Sequence, residues 1–428
     1  MNYKILSNLT SWIFPTKETR KAYRALCKSI EEDKKIPLLT KRYNKMLVKL
    51  KNKKDKIKVL FLVSEVAKWK AQSLYNLMVD SEEFEPLIAV TLLTDAHKGK
   101  DVCRKNINEA YNFFKRNGMN VVYAYTNKHY VDLKTFNPDI VIYQQPWELD
   151  KSQFPDEVSK YALTLYIPYY VASYTLSEFD YNQDFHKFLF RYYVLDKVLE
   201  NKLKRITGRD NFIGLGAPIL DNIKVDENNK NSKNYVIYAP HYSFYHPLNE
   251  NPVNFGTFLD NGLQILEFAK KHPEVNWVFK PHPQLKTALT KIGENIQEIN
   301  NYFDEWNKIA ITCYDASYIK LFSDSQMLIT DSSSFLTEYF CTGKPIIHLI
   351  SENCEITPLS KKMFDSFYKA YGIEDISVFF NEIVSNKNDY LKSKRLEILR
   401  YSGLQPSNAG ETIFNDIKEF IKNGALLE

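Results

Sequence analysis

Residues 326–350 read QMLITDSSSFLTEYFCTGKPIIHLI, a strand–turn–helix–strand unit. Met327–Thr330 is a short apolar run suited to a buried strand. Asp331-Ser332-Ser333-Ser334 is a polar turn built of residue types that cap helix N-termini. From Phe335 to Cys341 the apolar residues Phe335, Leu336, Tyr339 and Phe340 recur at helical spacing. Gly343 then stops the helix, and Pro345–Ile350 resumes as a second buried strand. Such a turn sets hydroxyls and free backbone N–H groups just beyond the carboxyl end of a strand. In open α/β sheets an anion, most often a phosphate, binds there. The same residues also serve as plain helix caps, so the turn alone leaves both readings open.

A second stretch favours the anion. Trp277-Val278-Phe279 is an apolar strand that runs into Lys280-Pro281-His282-Pro283. Proline on both sides of His282 restricts the backbone and favours an extended turn. A lysine and a histidine are thereby held at a strand's end.

Working outward, strands and helices alternate through most of the chain. Strands are expected at 56–63, 84–93, 120–125, 139–143, 164–168 and 212–214, with helices at 67–79 and 106–117 between them. A polar run over 221–233 separates a second alternating set. Its strands are expected at 235–239, 276–280 and 309–312, and its helices at 262–272 and 317–323, ahead of the unit at 326–350. Helices are expected at 359–371, 373–384 and 412–423. This alternation predicts parallel sheets covered by helices on both faces. The expected division is a basic helical extension over 1–56, an N-terminal domain over 57–220 and a C-terminal domain over 221–428.

Composition agrees. The 428 residues are long enough for two domains, and 44% hydrophobic content supports real cores. Five widely spaced cysteines without a Cys-x-x-Cys argue against a disulfide framework or a zinc site, so reduced thiols in the cytoplasm are expected. No apolar run reaches the ~20 residues that span a bilayer. The first residues lack the compact apolar core of a signal peptide. No Gly-x-Gly-x-x-Gly, P-loop, Asp-x-Asp or Gly-x-Ser-x-Gly occurs. Dinucleotide binding, P-loop chemistry and serine hydrolysis are therefore set aside, and no cofactor is expected.

Charge is uneven. Residues 1–56 carry 16 Lys and Arg against 5 Asp and Glu, and the remaining 372 residues are mildly acidic. This implies a local attraction to anions and no nucleic-acid partner. Leu6, Leu9, Trp12, Ile13 and Phe14 form an apolar cluster, followed by Lys17, Arg20, Lys21, Arg24 and Lys28 at helical spacing. That pattern suits a helix on an anionic membrane surface, at the inner face of the cell membrane. It equally suits a helix packed on the body or one that mediates self-association.

Several motifs together resemble one family. Tyr238-Ala239-Pro240-His241-Tyr242-Ser243-Phe244, Phe279-Lys280-Pro281-His282-Pro283, Thr330-Asp331-Ser332-Ser333-Ser334 and Gly343-Lys344-Pro345-Ile346-Ile347 look like the C-terminal half of the CDP-glycerol glycerophosphotransferases. These enzymes build teichoic acids and related capsular polymers. Gly216-Ala217-Pro218-Ile219-Leu220-Asp221 resembles their Gly-x-Pro-x-x-Asp hinge. The resemblance implies a GT-B architecture, two Rossmann-like domains facing a cleft, with a nucleotide-activated donor held mainly by the second. It implies transfer of glycerol phosphate from a CDP-activated donor to a glycan or lipid-linked acceptor, without a metal.

On this reading His282 and His241 are the candidate catalytic residues of the C-terminal domain. Lys280, Asp331, Ser332, Ser333, Ser334, Thr337 and Glu338 are the candidate donor-binding residues. The chain departs from the family on the acceptor side. The teichoic-acid polymerases carry a Trp-His-Gly-Thr-Pro segment whose histidine is a candidate base. Here the corresponding region, Tyr166-Ile167-Pro168-Tyr169-Tyr170, has no histidine. Glu65, just after the first strand, is the leading substitute, with Glu148 and His186 behind it. A nucleotide-sugar glycosyltransferase and a non-catalytic, membrane-docked scaffold remain as alternatives.

Overall fold

The computed structural model describes residues 13, 16–94, 100–174, 178–226, 233–246, 254–313, 318–351 and 356–424. Two parallel sheets dominate it. The first runs, edge to edge, Val121–Tyr123, Phe84–Val90, Ile57–Val63, Ile140–Tyr143, Leu163–Tyr166, Arg191–Val194 and Phe212–Gly214. The second runs Ala310–Thr312, Asn276–Phe279, Tyr235–Ala239, Ser325–Thr330, Ile346–Leu349 and Tyr368–Ala370. In both sheets the first strand lies between the second and the fourth, the doubly wound order that places a crevice at the carboxyl ends of those strands. The strands are apolar on both faces because helices cover both. Val236, Tyr238, Trp277 and Phe279 face one layer of the second sheet, and Ile237, Ala239, Val278 and Leu328 the other.

The expected strands are present in both sheets, with small shifts at their ends. Several elements were missed, among them helices Leu285–Lys291, Ile296–Ile309 and Lys392–Ser402. Strand Arg191–Val194 and helix Lys197–Thr207 fill the interval before Phe212. The expected helix over 359–371 is instead the helix Pro358–Phe364 followed by the edge strand Tyr368–Ala370. Its tail pairs with Ile347–Leu349, and sheet pairing overrides the local helical spacing.

Two segments cross between the domains. Helix Ala409–Asn423, grouped by sequence order with the second domain, buries Ile413, Ile417, Phe420 and Ile421 in the first domain's core. Asp221 holds the start of this helix. Its carboxylate accepts from the amides of Ala409 at 2.9 Å and Gly410 at 2.8 Å, and from the hydroxyl of Ser73 at 2.6 Å. Gly410 must be glycine, since a Cβ there would sit 2.3 Å from Ser73 Oγ. Conversely, Val171, Ser173 and Tyr174 of the first domain are buried against the second, where Tyr174 stacks on Phe255 at 4.6 Å.

Within the basic extension lies a 35-residue helix, Lys17–Lys51, which runs on through Pro37. Its second half is a packed element: Leu39, Tyr43, Leu47 and Leu50 join the first core. The Tyr43 hydroxyl lies 2.6 Å from Thr164 Oγ1 and donates to the Phe188 carbonyl at 2.5 Å. Toward its start Lys17 and Arg24 are exposed, and Ile13 is 80% exposed. Trp12 and Phe14 lie outside the described residues. No described helix is long and apolar enough to cross a membrane.

Candidate active site

The site follows from register. Tyr235–Ala239 pairs in parallel with Asn276–Phe279, Tyr235 opposite Asn276 through Tyr238 opposite Phe279. Continuing that offset past the strand ends brings His241 beside His282. Their ring centroids are 4.5 Å apart, and the His282 amide donates to the Pro240 carbonyl at 3.0 Å. Each ring uses Nδ1 as an acceptor for the amide two residues on, Ser243 at 3.3 Å and Gln284 at 3.1 Å. A neutral ring so held carries its proton on Nε2, as a donor. Burial, and then the charge of nearby His282, hold the His241 pKa well below 6.5, so His241 is neutral at pH 7.

Asp331 braces this loop from the neighbouring strand. One carboxylate oxygen accepts from the His241 amide at 2.7 Å; the other accepts from the Thr257 amide at 2.7 Å and its hydroxyl at 3.0 Å. Complete burial raises its pKa to about 6, against the opposing pull of those bonds. Both oxygens of this expected donor ligand are thus taken by protein groups.

Ser332 holds the N-cap position of helix Ser333–Phe340 at the crevice without a side-chain capping bond, and its amide donates to Thr330 Oγ1 at 3.0 Å. Ser334 lies half-buried in the first turn. Ser333 and Thr337 are engaged across the domain boundary. Ser333 Oγ accepts from the Ser173 amide at 3.0 Å. The Ser173 hydroxyl donates to the Ser333 carbonyl at 2.6 Å and lies 2.6 Å from Thr337 Oγ1.

Lys280 and Glu338 are buried together. The Lys280 ammonium lies 5.5 Å from the centre of the Tyr318 ring, and the Tyr318 hydroxyl donates to Glu338 at 2.5 Å. Burial is the largest influence on Glu338 and raises its pKa, opposed by Lys70, the Tyr318 hydrogen bond and Lys280.

Across the cleft, Glu65 lies at the carboxyl end of the first domain's first strand. It pairs with Lys68 at 3.0 Å and accepts from Asn106 at 3.2 Å. Lys68 lies 5.4 Å from the centre of the Tyr169 ring. Glu148 sits in a left-handed turn, φ +59°. His186 is a core residue: it is fully buried, stacks on Tyr192 at 5.4 Å, and burial drives its pKa down to about 3. A general base must come within hydrogen-bond reach of an acceptor hydroxyl, and this ring, enclosed by Tyr166, Phe185 and Tyr192, presents no surface to one.

Sequence reasoning missed Lys70, Tyr318, Thr257 and Ser173. Thr257 and Ser173 lie in loops with no periodic or motif signal. Lys70 reads as one of several surface lysines, yet its ammonium is buried and donates to the Tyr318 hydroxyl at 2.9 Å. Burial is the main cause that lowers its pKa to about 8. Among the described residues no three His, Cys, Asp or Glu side chains group to hold a metal.

Comparison with known proteins matches part of this sequence to a family model. Residues 206–356 fit the model of CDP-glycerol:poly(glycerophosphate) glycerophosphotransferase. The minor teichoic acid biosynthesis protein GgaB of Bacillus subtilis (strain 168) is 25% identical over 234 residues, 50% of this chain and 24% of that protein. The chain thus spans about a quarter of that relative's length. Among solved structures, a UDP-GlcNAc 2-epimerase from Neisseria meningitidis superposes with a TM-score of 0.54 at 15% identity, covering 85% of this chain and all of that one. The wall teichoic acid polymerase TagF does so with a TM-score of 0.51 at 14% identity, over 92% of this chain and 97% of that one. These likenesses establish the GT-B arrangement of two Rossmann-like domains. Through residues 206–356, which hold the paired histidines, Lys280 and the Asp331 turn, the chain matches the CDP-glycerol:poly(glycerophosphate) glycerophosphotransferase family.

Proposed function

We propose that the chain transfers glycerol phosphate, or a related group, from a CDP-activated donor to a glycan or lipid-linked acceptor in the synthesis of a cell-surface polymer. The observation that carries this reading is the His241–His282 pair beside the switch point of the second sheet, inside the segment that matches the family. The donor's pyrophosphate would lie against the Nε2–H groups of His241 and His282 and the helix start at Ser332 and Ser334. An acceptor hydroxyl attacks the β-phosphorus, the bond to the CMP oxygen breaks, and its electron pair leaves with CMP. Charge grows on that oxygen, and fixed donors with a helix N-terminus are suited to stabilise it. Glu65, at the facing strand end, is the candidate to receive the acceptor's proton. To do so it must exchange its contact with Lys68.

Incubation of the purified protein with CDP-glycerol and a lipid-linked or glycan acceptor tests this. CMP release that depends on acceptor is the expected result; no nucleotide bound or released would sink it. The acceptor side favours one second reading. No histidine occupies Tyr166–Tyr170, which keeps a nucleotide-sugar glycosyltransferase open. Release of a nucleoside diphosphate from a nucleotide sugar offered in place of CDP-glycerol would establish that reading. The exposed basic start of helix Lys17–Lys51 supports a peripheral place on the anionic inner face of the cell membrane, near a lipid-linked acceptor.

A further inference from the structure

One group from the first domain reaches into the candidate site of the second. Lys70 follows the first strand of its own sheet, and its amide is fixed by Gln144 Oε1 at 2.9 Å. Gln144 follows strand Ile140–Tyr143, the other side of that sheet's switch point, and donates to the Ile167 carbonyl at 3.1 Å. The Lys70 backbone is therefore pinned at the crevice of the first domain, and its side chain crosses to the second.

There the ammonium donates to the Tyr318 hydroxyl at 2.9 Å, and Tyr318 donates to Glu338 Oε2 at 2.5 Å. The direction is fixed. An ammonium has no acceptor, so Tyr318 must accept from Lys70 and pass its own proton toward the carboxylate. All three side chains are buried, where hydrogen bonds to charged groups are strong and missing partners are costly. Glu338 lies on the eight-residue helix whose first turn carries Ser333 and Ser334. Lys280, at the entry to the Pro-His-Pro turn, acts electrostatically on both Glu338 and Lys70.

We infer that Lys70 is a positioning residue for the donor: through Tyr318 it fixes Glu338 and the donor helix, so that a group of the acceptor domain sets nucleotide affinity in the donor domain. This rests on the functional reading above. The role follows from the chain of bonds. Lys70 acts through Tyr318, and Tyr318 through Glu338, so removing either link releases the same carboxylate. The effects of the two losses on nucleotide affinity must then overlap.

The test is a double-mutant cycle read by calorimetric titration with CDP, using the full chain and the variants K70M, Y318F and K70M/Y318F. Lys70→Met and Tyr318→Phe are each expected to weaken CDP binding roughly tenfold, the scale of one charge-assisted hydrogen bond. The double variant is expected to be no weaker than either single one. Tyr318→Phe removes only a hydroxyl, so it keeps the test available should the buried Lys70→Met fail to fold. Unchanged affinity in Y318F, or additive losses in the double variant, would overturn the inference and leave the functional reading standing. Failure of the unaltered protein to bind CDP would overturn both.

Discussion

The carboxylate of Asp331 accepts the backbone amide of His241 at 2.7 Å, so the turn after one strand fixes the histidine after its neighbour. Its second oxygen takes both donors of Thr257. Asp331→Asn replaces one of these acceptors with an NH2 group that faces donors. The expected cost is about 1–3 kcal/mol of stability, the penalty for a buried donor left unpaired, with weaker nucleotide binding because the His241 loop loses its anchor. Urea denaturation of the variant checks the first part. A variant as stable as the parent would remove the brace from the account.

His282 is held by prolines on both sides, by its amide bond to Pro240, and by its Nδ1 contact with Gln284. Replacing it with alanine removes the Nε2 donor and the Nδ1 contact with Gln284, but keeps both prolines and the amide hydrogen bond to the Pro240 carbonyl. His282→Ala is expected to fold and to lose on the order of a hundred- to thousand-fold in kcat. A folded variant with near-normal turnover would take His282 out of the mechanism.

Three histidines set the response to acid, His186 and His348 fully buried and His241 half-buried. His186 and His348 have pKa values driven down to about 3 by burial, and His241 is held well below 6.5. The unfolded chain binds protons at these positions from about pH 6.5 downward while the folded chain does not. Stability is therefore present above pH 6.5 and falls with acidification, by up to about 4 kcal/mol per pH unit for three groups. Asp331 and Glu338, with raised pKa values, act in the opposite sense and return part of it. Denaturation midpoints at pH 7.5 and 5.5 should show a net loss at the lower pH. His186→Phe should shrink that difference, since it deletes one of the three protons. Equal midpoints at both pH values would contradict the assignment.

The long first helix divides at its middle. Residues 39–50 are anchored in the core through Leu39, Tyr43, Leu47 and Leu50. The basic start is the part proposed to meet a membrane. Each basic residue near an anionic surface contributes roughly 1 kcal/mol, screened by salt. Deleting residues 1–28 is expected to abolish sedimentation with anionic liposomes at low salt while leaving CDP binding intact. If the full chain does not sediment with such liposomes, the start of the helix has another task.

Much of this was legible in sequence because it is local. Apolar runs bounded by turn residues mark the strands, and alternation of strands with helices implies parallel sheets. Pro-His-Pro and Asp-Ser-Ser-Ser stand out as strand-end chemistry. Even the His241–His282 pairing was within reach, since two Pro-His turns follow adjacent strands at equal distance. The strand Tyr368–Ala370 was not, because its local spacing suits a helix and only its partner strand makes it extend.

What the tertiary structure alone decided is where groups from distant parts of the chain meet. The last helix returns to the first core, since its apolar face fits either core by pattern and only the Asp221 anchor and the facing surface choose. Ser173 takes up Ser333 and Thr337, and Asp331 turns to His241 and Thr257. Lys70 crosses the cleft to Tyr318, 248 residues on. A sequence states which side chains can donate, accept or ionise. Which of them lose water and find each other depends on how two sheets, folded from separate segments, are set face to face.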